Sequence, residues 1–366
     1  MTAFDTDRVY ELLERHAWNV TAYQIVNPGM EHWFSAGGDA VIGYMRRCGK
    51  RVVAGAPVCS EERLSAVLAE WEADCAKHRE GPAYFGAAGR LFDRLSRRDD
   101  HSTINLGAQP VWNPQRWPEP GSMRASLRAQ LSRARNKGVT VREWGVRGAE
   151  SSPELRRVLS EWLAHKPLPS LHFLVEPQTL SNLRDKRIFV AARNGIPVGF
   201  LNAAPVPARN GWLTEQFVRG ANAPNGTVEL LVDNAVRALA AGGAEYVTMG
   251  LVPLSSHSRD TAYRNPFWLR FVLAWIRAHG RRFYNFAGLE SFKTKFNPDT
   301  WEPIYAVSKE RHFSPGTLYA VADAFSDRSP ASMLLRGAGK AIREEWRRIN
   351  GARQRNGHEC PVSSTE

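Results

Sequence analysis

Apolar residues recur along this chain at two periods, and the switches between them mark out its elements. Residues 6 to 18 put apolar side chains on one face of a short amphipathic helix. Residues 39 to 58, DAVIGYMRRCGKRVVAGAPV, read as two apolar strands joined by a turn at Gly49-Lys50. Over 60 to 79, Leu64, Val67, Leu68 and Trp71 return at helical spacing behind Ser60, a candidate N-cap. A proline-rich crossing from Gln109 to Gly121 follows, and we place a domain boundary there. Beyond it Ser122 is a second candidate cap, Leu127, Leu131 and Ala134 fall at i, i+4 and i+7, and Gly138 supplies a stop. A helix over about 152 to 165 leads to strand runs between 187 and 220. The loop Ala221 to Gly226, a helix from Thr227 to Ala241 closed by Gly242-Gly243, and the strand EYVTMGLVPL come next.

The pattern predicts an α/β fold, and its strand, loop, helix, strand unit has the order of the acyl-binding half of an acetyltransferase-type domain. Both halves share a hairpin-then-helix rhythm without a sequence repeat. At 366 residues, with 43% hydrophobic content and 12 tryptophans, the chain can bury one large core or two medium ones. Cys48, Cys59, Cys75 and Cys360 show no C-x-x-C spacing, so neither a zinc site nor a disulfide framework is expected, and a reducing cytoplasm fits. The N-terminal stretch lacks an apolar core of the signal-peptide kind, and no run approaches the length of a membrane span. No stable membrane insertion is expected. The tail after about 352 lacks periodicity and reads as disordered.

Lys and Arg exceed Asp and Glu by 12, and the pI is about 9.8. The excess is localised. Residues 122 to 147 carry Arg124, Arg128, Arg133, Arg135, Lys137, Arg142 and Arg147 against Glu143 alone. Residues 336 to 355 carry seven more basic groups, Arg343 and Arg347 among them, against Glu344 and Glu345. In the second segment Leu335, Ala338, Ile342, Trp346 and Ile349 are spaced to bury one stripe of a helix. A solvated face is the ordinary reading of such runs. The preference for arginine favours phosphate, with nucleic acid and anionic lipid both open.

The segment Tyr284-Asn285-Phe286-Ala287-Gly288-Leu289-Glu290-Ser291-Phe292-Lys293-Thr294-Lys295-Phe296, followed by Pro298 and Trp301-Glu302-Pro303-Ile304-Tyr305, resembles the closing signature of the phosphatidylglycerol lysyltransferase catalytic domain. His32-Trp33-Phe34-Ser35, Gly55-Ala56-Pro57, Leu127-Arg128 through Lys137-Gly138, and Met249 through Leu254 resemble other family motifs in the same order. The resemblance covers about residues 20 to 325. It implies two tandem GNAT (acetyltransferase-like) domains with mixed central sheets, at 1–118 and 119–325. A basic helix at 326–352 and a disordered tail at 353–366 would follow. It also implies aminoacyl-tRNA as co-substrate, with no other cofactor and no metal, and the tRNA 3′ end reaching the second domain. Membrane members carry a transmembrane region ahead of this domain. Its absence here makes relatives that load amino acids onto soluble natural-product intermediates the nearer guide, in the cytoplasm, with phosphatidylglycerol as the alternative acceptor.

An aminoacyl ester is already activated, so transfer needs a positioned nucleophile, a stabilised oxyanion and a route for one proton. Neither a G-x-S-x-G elbow nor a Cys-His pairing stands out, and no histidine is singled out. An acyl-CoA enzyme needs a glycine-rich loop whose amides hold the pyrophosphate at a helix N-terminus, and Ala223 and Pro224 in the loop after Arg219 disfavour it. By the resemblance, Arg219 matches the arginine of the family's Asp-Leu-Met-Arg motif and suits the terminal phosphate or the ester oxygen. A strand-end salt bridge is its bland alternative. Lys293 and Lys295, two apart, would face one way in an extended segment and grip tRNA phosphates. Glu290 and Asn285 would orient the acceptor or take its proton, or else serve as local caps. Arg124, Arg128, Arg133, Arg135, Lys137, Arg343 and Arg347 are the candidate tRNA surface. Gln216 stands where the motif has aspartate, and Glu215 precedes it. Strand alternation sends the two to opposite faces, which predicts a neutral amino acid as cargo.

Overall fold

The computed structural model describes residues 3–165, 172–258, 265–270 and 286–326. The first half runs α1 (Ala3–His16), a 3-10 turn (Ala22–Val26), β1 (Glu31–Phe34), β2 (Val41–Arg47), β3 (Lys50–Ala54), α2 (Leu64–Lys77), β4 (Gly81–Ala87), α3 (Gly89–Leu95) and β5 (Ser102–Trp112). The second continues with α4 (Ala125–Asn136), β6 (Val139–Trp144), α5 (Val146–Ser151), α6 (Pro153–Ala164), β7 (Arg187–Arg193), β8 (Ile196–Val206) and β9 (Gly211–Arg219). After these come α7 (Thr227–Ala241), β10 (Tyr246–Thr248), β11 (Val252–Pro253), a 3-10 turn (Ser256–Ser258), α8 (Phe286–Thr294), β12 (Thr300–Ser308) and α9 (Pro315–Ala324).

All twelve strands join one mixed sheet, in the order β1-β2-β3-β4-β12-β5-β10-β9-β8-β7-β6, with β11 also on β5. Pairing is antiparallel except for β3 with β4 and β9 with β10, the two pairs connected through helices, as parallel neighbours must be. The order reads alike from either end: hairpin, parallel pair, then a strand donated by the other half. Here β12 lies between β4 and β5, so Tyr305 and Val307 bury in the first half's core beside Trp71 and Tyr84. The second half packs α7 and α4 on one sheet face, with Leu230, Leu231 and Leu239 against Leu127 and Leu131. The other face takes Leu155, Val158 and Leu159 of α6 against Phe200 and Val218.

Most expected elements form where the periodicity puts them, and the differences are local. The hairpin turn is Cys48-Gly49, both at positive φ (49° and 72°), because Arg47 pairs with Lys50 and leaves two central residues, a turn that suits the strand twist. Ser60 and Ser122 do not cap. The helices begin at Leu64 and Ala125, behind Arg63 and Arg124, and the Ser122 hydroxyl donates to the Glu119 carbonyl instead. Ser152 does cap α6, accepting from the Leu155 amide at 3.2 Å. The continuous strand expected over 245–254 is broken after Thr248, and that break makes the site. The basic helix expected at 326–352 lies, beyond Ser326, outside the described residues, as does the tail.

Candidate functional site

In the first half the parallel pair stays closed: β3 and β4 pair throughout Lys50–Ala54, and the Gly55 amide donates to Phe85 O at 2.8 Å. In the second half β9 pairs with β10 only at Gly211–Leu213, after which the strands part. Residues 249–251 swing away, and β11 rejoins the sheet on β5 at Gly107–Ala108. A Cβ on Gly107 would lie 2.1 Å from Val252 O, so glycine is required for that return. Thr248 pins the fork: its hydroxyl donates to Pro110 O and accepts from the Gly250 amide, while Thr214 donates to its carbonyl. The edge of β9 from Thr214 to Arg219 on this side has no strand partner among the described residues, which opens the sheet from face to face.

One side of the opening is braced by α8. Lys293 is 3% exposed, and its ammonium donates to the carbonyls of Met249 (2.6 Å), Gly250 (2.8 Å) and Leu251 (3.2 Å). Burial pushes its pKa down to about 7. One turn earlier Glu290 accepts from the Ser255 hydroxyl and from both the amide and hydroxyl of Ser256, at 2.8–2.9 Å. Burial opposes its ionisation, but these hydrogen bonds outweigh it and hold the carboxyl below its ordinary range. Lys295 pairs with Glu229 in the first turn of α7 at 2.8 Å and lies over the Phe292 ring, which meets Phe217 of β9. The expectation of an extended Lys-x-Lys segment gripping phosphates is therefore corrected. The segment is helical, so the two ammonium groups diverge and each is taken by the protein. Glu290 is a local cap for the Ser256–Ser258 turn, the bland alternative, and Asn285 lies outside the described residues.

On the opposite face the strand alternation fails. Asn202 pairs with Gln216 but Ala203 with Thr214, so Glu215 is the extra residue of a β-bulge. Its carboxylate accepts from Asn202 (2.8 Å), the cross-strand partner of Gln216, so Glu215 and Gln216 share one face and the expectation of opposite faces is overturned. Glu215 also accepts from Lys186 (2.9 Å) and from Gln24 of the first half's 3-10 turn. Gln216 donates to Glu176 O at 2.7 Å. Each amide nitrogen thus meets an acceptor, which fixes the side-chain orientation and leaves Gln24 Oε1, Asn202 Oδ1 and Gln216 Oε1 buried without a partner among the described residues. A buried acceptor with no donor costs about 1–3 kcal/mol. Two of the three belong to amides that hydrogen-bond Glu215, and such acceptors suit a ligand that brings N–H donors.

Arg219 forms no salt bridge among the described residues. It donates to Ala223 O (3.0 Å) and Asn225 Oδ1 (3.2 Å), shaping the loop ahead of α7. Four amides in and around the loop are occupied: Gly220 donates to Val198 O, Ala223 to Gly220 O, Thr227 to Pro224 O, and Ala221 to the Glu161 carboxylate at 3.1 Å. That amide and Arg157 hold the Glu161 carboxyl below its usual range. Beside this loop α4 packs on α7 so closely that a Cβ on Gly226 would lie 2.1 Å from Gln130 O. Arg128, Arg133 and Lys137 are exposed on α4 and the residue that ends it, with no acidic partner among the described residues. Arg135 instead pairs with buried Asp233, and Arg124 donates to Asn297 beside the motif. Arg343 and Arg347 lie outside the described residues.

Sequence reasoning missed Gln24, Lys186, Asn202 and Glu161. One signal was present: Asn202 is the lone amide in the apolar run IPVGFLNAAPV, and a polar side chain in a fully buried strand needs a reason.

A mixed sheet forked at a parallel pair, with a helix starting beside the fork, defines a protein of acetyltransferase-like build. Residues 10–308 match the family described as phosphatidylglycerol lysyltransferase, C-terminal, and the chain belongs to it. It is 24% identical over 328 residues to a phosphatidylglycerol lysyltransferase of Bacillus subtilis, across 87% of this chain and 36% of that protein. It is 22% identical over 335 residues to the lysylphosphatidylglycerol biosynthesis bifunctional protein LysX of Mycolicibacterium gilvum, across 89% and 30%. The chain thus spans about a third of these relatives. Among solved structures, L-PGS from Bacillus licheniformis superposes with a TM-score of 0.73 at 21% identity, covering 87% of this chain and 95% of that one. No helix among the described residues is long and apolar enough to cross a membrane.

Proposed function

We propose that the chain transfers an amino acid from an aminoacyl-tRNA to the hydroxyl or amine of an acceptor, across the opening between β9 and β10. The observation that carries this reading is the set of amide oxygens on Gln24, Asn202 and Gln216 that have no partner among the described residues, two of them on amides that hydrogen-bond Glu215. Such acceptors suit the N–H bonds of an α-ammonium, the group that distinguishes an aminoacyl ester from a simple acyl thioester. The Glu161 carboxylate, which occupies the Ala221 amide, speaks against a pyrophosphate there, hence against CoA. Membership of a family described by lysyl transfer supports the same reaction class.

The cargo is a neutral amino acid. Lys186, Asn202 and Gln24 already engage Glu215, so no uncompensated carboxylate is left for a second ammonium. Transfer assays with individually charged tRNAs test this: seryl-, glycyl-, alanyl- or branched-chain tRNA should serve, and use of lysyl-tRNA alone would overturn it. The acceptor is a small soluble molecule, and phosphatidylglycerol is the second reading, favoured by the names of the relatives. Assays with phosphatidylglycerol vesicles and with soluble amines and alcohols separate the two.

The exposed face of α4 and β6 carries the tRNA phosphates. Replacing Arg133, Lys137 and Arg142 together by serine should weaken tRNA binding and flatten its dependence on log salt by about 2–3. Preference among cargoes should not change. Unaltered affinity in fluorescence-anisotropy titrations would remove this surface from the reading.

A further inference from the structure

We propose that His257 accepts the proton of the acceptor nucleophile; this rests on the aminoacyl-transfer reading above. His257 sits at the centre of the Ser256–Ser258 turn, with its side chain 42% exposed. Its ring stacks on Trp301, at the start of β12, with centroids 4.3 Å apart and planes 8° from parallel. Its Nε2 edge faces the Glu290 carboxylate at 3.9 Å, and Nδ1 has no hydrogen-bond partner among the described residues. Glu290 is the charged group of the described residues that meets the ring. Glu290 and Lys293 stand one turn apart on α8, and hold respectively the turn that bears His257 and the backbone that leaves the fork. One helix thus sets the imidazole relative to the opening.

An imidazole held flat by an indole, with a carboxylate on one nitrogen edge and the other free, has the elements of an oriented general base. In the step it serves, the acceptor oxygen or nitrogen forms a bond to the aminoacyl carbonyl carbon, and its proton passes to Nδ1. The bond from that carbon to the ribose oxygen of the tRNA then breaks, and the same proton moves from Nδ1 to the departing oxygen. The ring ends as it began, and no other reactant is needed.

Two measurements test the assignment. The first follows transfer from charged tRNA to hydroxylamine, and to phosphatidylglycerol vesicles, between pH 5.5 and 8.5. The wild-type rate should rise with pH across this range. His257→Gln should lose that limb and about 10²–10⁴ in kcat, with tRNA affinity unchanged. His257→Phe keeps an aromatic ring over Trp301 and should be equally slow. A His257→Phe enzyme near the wild-type rate would make the ring a stacking platform, for instance for a nucleobase, and overturn the proposal. The second measurement is the wild-type assay with each charged tRNA in turn. An enzyme that uses no charged tRNA overturns the transfer reading, and with it the assigned step, whereas an active wild type whose His257→Gln variant keeps its rate overturns the assignment of His257 alone.

Discussion

Lys293→Met is expected to lower the melting temperature by about 5 °C or more and to cut transfer more than any other single substitution in α8. The variant leaves the buried carbonyl of Met249 and the half-buried carbonyls of Gly250 and Leu251 without this donor. At about 1–3 kcal/mol for each unsatisfied group, the loss reaches roughly 3 kcal/mol even if the loop relaxes in part. The same loop borders the fork, so stability and turnover should fall together. Differential scanning calorimetry beside single-turnover transfer checks this, and a melting temperature within about 1 °C of wild type would show that the lysine braces nothing. The pH dependence has a definite sign. The folded-state pKa of about 7 lies below the ordinary value of 10.5, so between these values the unfolded chain holds more protons than the folded one. Stability from this group is therefore fully present above about pH 10.5 and is lost as pH falls to about 7. The gap in melting temperature between wild type and Lys293→Met should widen from pH 7 to pH 9.

Gln216→Asp should redirect the enzyme toward cargo with a second ammonium. Aspartate is one methylene shorter than glutamine but carries a charge, and the bulge sets it on the same face as Glu215, whose charge Lys186 already compensates. One uncompensated carboxylate then remains. A charge-assisted hydrogen bond contributes about 1.5–3 kcal/mol, so the ratio of kcat/KM for lysyl- over alanyl-tRNA should rise by about 10- to 100-fold. Competition between the two charged tRNAs at fixed enzyme measures it. An unchanged ratio with tRNA affinity intact would mean that the amino acid does not lie against Gln216.

The helices and strands that carry the fork were legible because burial on one face writes its period into the chain: α7 begins and ends at the expected residues, Thr227 and Ala241. What escaped was set by tertiary pairing. In EYVTMGLVPL only Gly250, at φ 72°, hints at the break after Thr248, while Tyr246, Val247 and Thr248 and then Val252 all suit a strand. The break follows from β5 offering Gly107–Ala108 to one end of the segment while Lys293 pulls the middle aside. The bulge at Glu215 was equally hidden, since one extra residue in β9 is defined only against β8. The partners of Lys293 and Glu290 are backbone and hydroxyl groups far along the chain, which no spacing rule could name.

The exchanged strand β12 has a consequence for how the molecule can be made. Until Thr300–Ser308 has been synthesised, β4 and β5 each present a bare row of backbone donors and acceptors, and Tyr84 and Trp71 lack the cover of Tyr305. The half that is synthesised first is thus the half that closes last. A nascent chain halted before residue 300 should depend on chaperones and tend to associate through those two edges, and folding should be slow because its decisive pairing spans about two hundred residues.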